Sequence, residues 1–241
     1  MSSAFSSDRN PPLPDYAAEL GRALRRTVAG EVRFDAQARA LYAFDASIFR
    51  QVPIGAVLPR DGDDAQAALE LCRRFGAPVF GRGCGTGLVG QTVNAAVVFD
   101  FSKYMNQVLT LDPQRRQARV QPGTICDTLR DAAEQYGLTF GPDPATHDHA
   151  TLGGMIGNNS CGTHSVMAGK TADNIDELEI LTYDGLRTRV GATTDNQLEQ
   201  IIAAGGRRGE IYAGLKRLRD TYADAIRTGL PDIPQGTIRR K

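Results

Sequence analysis

Glycine recurs at positions 81, 83, 85, 87 and 90. The segment Arg82-Gly83-Cys84-Gly85-Thr86-Gly87-Leu88 therefore has the composition in which consecutive backbone N–H groups can converge on an anion, because glycine reaches backbone conformations that other residues avoid. Arg82 adds positive charge and Thr86 a hydroxyl. The run Gly85-Thr86-Gly87-Leu88-Val89-Gly90 also matches the dinucleotide fingerprint G-x-G-x-x-G, which needs a helix opening at the loop to receive a pyrophosphate. Here the apolar run Ala95 to Phe99 follows almost at once and reads as a strand. A Rossmann site is therefore not expected; phosphate binding by a loop held between two strands is.

A second segment, Thr151 to Gly162, combines the pair Gly153-Gly154 with amide and hydroxyl side chains, including Asn159. Backbone without side chains can approach a flat ligand closely, and the polar groups can bond ring heteroatoms. His147-Asp148-His149 raises a metal reading, but histidines at i and i+2 diverge on an extended chain and no further ligand cluster accompanies them, so no metal is expected. His164 beside the second segment is expected to satisfy a loop hydrogen bond. The four cysteines, Cys72, Cys84, Cys126 and Cys161, lack Cys-x-x-Cys spacing and read as reduced thiols rather than a zinc, iron-sulfur or disulfide set.

Around these segments the pattern predicts helices over Tyr16 to Val28 and Ala36 to Phe44, then a helix from Asp61 to Gly76 capped by Asp61 or Asp63. Strands follow at Pro78 to Phe80 and Ala95 to Phe99. Gln107 to Leu111 and Gln117 to Gln121 flank the turn-like Asp112-Pro113-Gln114-Arg115 as a hairpin. Thr124 and Asp127 resemble a capping box for a helix ending at Gly137. Gly141 to Gly169 is expected to be irregular, Asp176 to Tyr183 and Leu186 to Val190 form a hairpin about Asp184-Gly185, and helical pattern runs from Asn196 onward. The order is not a regular alternation, so the fold class is α+β with mixed or antiparallel sheets.

The chain has 241 residues, 41% apolar content and a formal net charge of zero. That balance gives no field to draw nucleic acid, and no apolar run is long enough to span a membrane. Met1 to Pro14 reads as a flexible leader without a signal-peptide core, and a cytoplasmic protein is expected.

The pieces occur together in one order: Pro59-Arg60 before a helix, Arg82 to Gly87, Phe101-Ser102-Lys103-Tyr104-Met105-Asn106, Val120-Gln121-Pro122-Gly123, Gly141-Pro142-Asp143-Pro144, the Gly153-Gly154 segment, and Glu177-Leu178-Glu179-Ile180 before Asp184-Gly185. From about Pro59 to Val190 this resembles the FAD-binding domain of the vanillyl-alcohol oxidase/p-cresol methylhydroxylase superfamily, in its D-2-hydroxyacid dehydrogenase branch. The resemblance implies two α+β subdomains with FAD between them. Arg82, Gly83, Cys84, Gly85, Thr86, Gly87 and Leu88 would wrap the pyrophosphate. Gly153, Gly154, Asn159 and Gly162 would lie along the ribityl chain and isoalloxazine, Ile180 on the adenine side, and Pro122 and Gly123 at the pocket wall. Thr86 stands where some relatives carry a histidine that bonds the flavin, so non-covalent FAD is expected. Cys84 stands where Gly or Ala is common and is assigned a packing role.

The implied organisation is a leader to residue 14, an N-terminal helical segment 15–58, an FAD-binding domain 59–191 and a helical extension 192–241 towards a substrate domain. Leu230-Pro231-Asp232-Ile233-Pro234 looks like the approach to that domain, and the chain reads as a truncated frame or one subunit of a split enzyme. The implied activity is hydride removal from a D-2-hydroxy acid, with catalytic residues outside this chain and a second subunit or iron-sulfur domain as possible partners. A non-catalytic partner subunit, an alcohol or lactone substrate, and a plain nucleotide-binding module are the alternatives.

Overall fold

The computed structural model describes residues 12–231. Most of the expected leader, and the expected approach to a further domain beyond Pro231, lie outside them. The first layer begins with α1 (Ala17–Thr27), whose face of Ala17, Leu20 and Leu24 is buried while Arg25 and Arg26 sit in the last turn, where cations suit the helix dipole. Strand β1 (Glu31–Arg33) and the short α2 (Ala36–Leu41) follow, the latter capped by Asp35, which accepts from the Ala38 amide. Next come β2 (Gly55–Leu58), α3 (Gly62–Arg74), β3 (Val79–Arg82) and β4 (Val97–Asp100).

These strands form one mixed sheet in the order β1-β2-β4-β3. β2 and β3 both run parallel to β4, and β1 closes the edge antiparallel to β2. Every residue of β2 and of β4 is buried, as expected of central strands covered on both faces. One face packs Val57, Val97 and Phe99 against Leu20, Leu24, Ala68 and Cys72 of the two helices. The other sets Ala56, Leu58 and Val98 against Tyr42, Phe80 and Tyr104. Asp64 knits the layer: its carboxylate accepts from the amides of Ala29, Gly30 and Arg60 at 2.8, 2.8 and 3.0 Å.

The second layer holds two antiparallel hairpins, β5 (Val108–Asp112) with β6 (Gln117–Val120), and, after three helical segments, β7 (Glu177–Leu181) with β8 (Arg187–Gly191). Between them lie α4 (Cys126–Glu134), α5 (Leu152–Asn158), α6 (Ser165–Ala168) and a 3-10 turn at Thr171–Asn174. Cys126, Leu129, Leu152 and Met155 make its small core. The chain continues through α7 (Asp195–Ala204), opened by a Thr194/Gln197 capping box, and α8 (Gly206–Gly229). No helix among the described residues is long and apolar enough to cross a membrane.

Three expectations are corrected here. The N-terminal region is not helical alone: β1 and β2 lie within it, and β2 is central to the sheet. The stretch Gly141 to Gly169 is not irregular throughout, since α5 forms in it, with Leu152 and Met155 buried and Thr151 capping its start. Thr124 and Asp127 build no capping box: the Thr124 hydroxyl donates to the Gln107 carbonyl, and Asp127 receives Arg130 at 2.9 Å and stands 2.6 Å from the His147 ring.

Candidate functional site

The first glycine loop leaves the carboxyl end of β3, a parallel strand, which is where open α/β sheets place their ligands. It runs on through Gly90 into β4, with no helix opening at the fingerprint, so the Rossmann alternative falls. Gly85 and Gly90 take φ of 73° and 77°, conformations that favour glycine. The loop is tied from below by Arg82. Its guanidinium donates to the carbonyls of Thr92 at 2.7 Å, Phe44 at 2.8 Å and Tyr42 at 3.5 Å, and stands over the Tyr42 ring. Burial lowers its pKa, against the pull of Asp100 and Asp45. The side chain is therefore committed to backbone carbonyls.

Tyr42 is itself anchored, donating to Asp100 at 2.6 Å; burial first and then Asp100 raise its pKa. Asp45 receives the Thr92 hydroxyl at 2.6 Å, and the Gly85 carbonyl accepts from the Ala46 amide at 3.0 Å. The glycine loop thus rests on the segment that follows α2.

Three of the expected groups converge. A Cβ on Gly83 would lie 2.0 Å from the Thr151 hydroxyl oxygen, so the first loop packs directly on the residue that caps α5. Gln91 makes a second tie, accepting from the Val89 amide at 3.1 Å and donating to Asn158 at 3.0 Å. The turn Pro122-Gly123 closes the junction from the other side: the Gly153 amide donates to the Pro122 carbonyl at 2.8 Å, and the Gly123 amide to the Met105 carbonyl at 2.8 Å. A Cβ at Gly123 would meet the Phe101 carbonyl oxygen at 2.0 Å.

Beyond this junction α5 shows bare backbone. Gly154 and Gly157 are exposed, and a Cβ at Gly157 would meet nothing within 4 Å. Together with the exposed Cys84, this leaves bare backbone of α5 beside a turn whose amides can face an anion. It fits a ligand that joins a pyrophosphate to a flat ring.

Asn159 and Gly162 have structural duties of their own. Asn159 ends α5 in the left-handed conformation, φ 48°, and its side-chain oxygen accepts from the Ala172 amide at 3.0 Å. Gly162 packs against Asp143, whose carbonyl oxygen would lie 1.8 Å from an added Cβ. Asp143 also receives the His164 amide at 3.0 Å and its ring nitrogen. Burial pushes the Asp143 carboxyl up, but the His164 contacts overrule it and hold it below the usual range. Ile180, half-buried in β7, lies on the wall of a cleft that Pro122 and Gly153 also line. Gln91 and the Arg82 carbonyl ties escaped sequence reasoning, since nothing in their spacing marks which partner a long polar side chain will find.

Comparison with known proteins agrees with this geometry. Residues 53–191 match the family described as FAD binding domain. The chain is 36% identical over 229 residues to D-2-hydroxyglutarate dehydrogenase of Pseudomonas putida, covering 92% of this chain and 22% of that protein. It is 34% identical over 169 residues to glycolate oxidase subunit GlcD of Bacillus subtilis, covering 68% of this chain and 36% of the relative. The chain thus spans well under half the length of either. Among solved structures, an alkyldihydroxyacetonephosphate synthase superposes with TM-score 0.68 at 22% identity, over 83% of this chain and 42% of the other. p-Cresol methylhydroxylase does so with TM-score 0.63 at 16% identity, over 77% and 38%. The fold is therefore the α+β FAD-binding fold of the p-cresol methylhydroxylase type, and the chain belongs to the FAD binding domain family, with FAD as its cofactor.

Proposed function

We propose that this chain is the flavin-holding part of an oxidoreductase that acts on a 2-hydroxy acid, a D-2-hydroxy acid of the D-2-hydroxyglutarate kind or the achiral glycolate. The observation that carries the reading is the packing of the first glycine loop on the start of α5 through Gly83 and Thr151. The names of the two curated relatives support the substrate class. Bound flavin supplies a ring that accepts hydride from the carbon bearing the substrate hydroxyl.

The chain's own residues hold that ring in place. The backbone of Arg82 to Leu88 faces the pyrophosphate, with Arg82 acting through the carbonyls it ties. Gly153 and Gly154 let the ring lie against α5, Asn159 and Gly162 set the loop beyond it, Pro122 and Gly123 close the wall, and Ile180 lies on the adenine side. Thr86, in place of a linking histidine, leaves the cofactor non-covalent. Substrate positioning is assigned to a substrate domain or a partner subunit. Four unpaired cysteines support the cytoplasm as the compartment.

The test is the visible spectrum of the purified chain after loading with FAD and desalting. A two-band flavin spectrum released by denaturation is expected. A colourless protein that takes up no FAD would overturn the reading, and colour that stays with the denatured chain would overturn the non-covalent assignment.

A further inference from the structure

Two carboxamides join the glycine segments. Gln91 stands just past the first loop, and its carboxamide lies against the loop's backbone: a Cβ at Gly87 would meet its three terminal atoms at 2.7 to 2.8 Å. Its oxygen accepts from the Val89 amide at 3.1 Å, and its nitrogen donates to the Asn158 side-chain oxygen at 3.0 Å. Asn158 ends α5, four residues after Gly154 and one after Gly157. Positions i, i+3 and i+4 of a helix share a face, so the pair meets beside the bare strip of α5, where all three residues are exposed.

The direction of these bonds fixes which atoms are left over. The Val89 N–H can meet only an acceptor, so Gln91 turns its oxygen to it and its NH2 group to Asn158. Asn158 must then receive that group with its own oxygen. A carboxamide carries two N–H donors beside its oxygen; among the described residues Gln91 gives one of them to a protein partner and Asn158 gives neither. Three N–H donors therefore remain where the two segments meet, while each oxygen already faces a donor.

We propose that Gln91 and Asn158 form a donor pair for the cofactor, as two binding residues beside the backbone of the glycine segments. The acceptors that such a pair fits are the oxygens of a pyrophosphate or the carbonyl oxygens of a flat ring, since both offer lone pairs to N–H groups. The inference rests on the reading of this chain as a flavin-holding part. It adds side-chain donors at a place where the first loop and α5 otherwise offer backbone.

The test titrates the full chain with FAD and, separately, with ADP, for the parent, Gln91→Glu and Asn158→Asp. Each substitution keeps the tie between the segments: a carboxylate at 158 still accepts from Gln91, and one at 91 still accepts from Val89 and from an Asn158 amide turned about. Each also removes donors and sets a negative charge beside the cofactor's oxygens. FAD affinity is expected to fall at least about tenfold in both variants, with the denaturant midpoint of the ligand-free chain unchanged. An equal loss with ADP assigns the acceptors to the pyrophosphate, and a loss with FAD alone assigns them to the ring. Parent-like FAD affinity in either variant, or a loss of affinity matched by a lower unfolding midpoint, would reduce the pair to a structural tie and overturn the proposal. A parent that takes up neither FAD nor ADP overturns the donor pair together with the flavin reading, whereas variants that match an FAD-binding parent overturn the donor pair alone.

Discussion

At the residue scale, Arg82 illustrates how a charge beside a glycine loop can serve geometry. Its guanidinium spreads donors over the carbonyls of Tyr42, Phe44 and Thr92, a fan that a single ammonium cannot reproduce. Arg82→Gln, which removes the charge, is expected to weaken FAD binding about tenfold, or about 1.4 kcal/mol, while the salt dependence of binding stays as in the parent. A titration in which that dependence flattens would show direct phosphate pairing instead. Gly83 makes a second case. An added Cβ meets the Thr151 oxygen at 2.0 Å, so Gly83→Ala should cost about 1–3 kcal/mol of stability, read by denaturant unfolding. The cost should shrink in a Thr151→Ala background, because removing the hydroxyl relieves the clash; an unchanged cost would mean that the strain lies in the backbone. The thiols divide by burial. Cys72 and Cys126 are buried, and burial pushes them up to about 12 and about 11, whereas Cys84 and Cys161 are exposed. Since the thiolate is the reactive form, a thiol reagent near neutral pH should modify Cys84 and Cys161 first, and bound FAD should slow Cys84, as peptide mapping would show.

At the scale of elements, β1 shows how a short edge strand is secured. Glu31 accepts from Tyr104 at 2.6 Å and pairs with Lys103 and Arg33. The Lys103 ammonium first, then the Tyr104 hydroxyl and Arg33, hold the Glu31 carboxyl down at about 2, from an ordinary 4.5. A carboxylate depressed on folding adds stability that is fully present above 4.5 and is lost as pH falls through about 2. Glu31→Gln should therefore lower the melting temperature at neutral pH, and the difference from the parent should close as pH falls to about 2. A difference that persists in acid would assign the loss to packing. Of the elements, those with strong local signals were legible beforehand: α3 with Asp61 at its cap, both hairpins with their turns, and α7 with α8. α5 was not, because Leu-Gly-Gly-Met-Ile-Gly-Asn has poor helix propensity; burial of Leu152 and Met155 and the Thr151 cap outweigh it.

At the scale of the whole molecule, the isolated chain is expected to hold FAD yet turn over D-2-hydroxyglutarate slowly, and to gain at least about 100-fold in rate when the substrate-bearing part is supplied, the scale that correct positioning contributes. Dye-linked turnover with and without that part checks it, and full activity in the chain alone would refute it. The sequence by itself determined the two glycine segments, the turn chemistry of the hairpins and the apolar run of β4, because these follow from side-chain size and spacing over a few residues. Only the tertiary structure decided that β1 and β2 join the sheet, that Thr124 and Asp127 bond elsewhere than in a cap, and that Gly83 meets Thr151 across the fold. β1 holds a single apolar residue between two charged ones and β2 opens on Gly55-Ala56, so neither stands out locally as a strand, and a polar side chain takes whichever partner the packing of distant segments brings within reach.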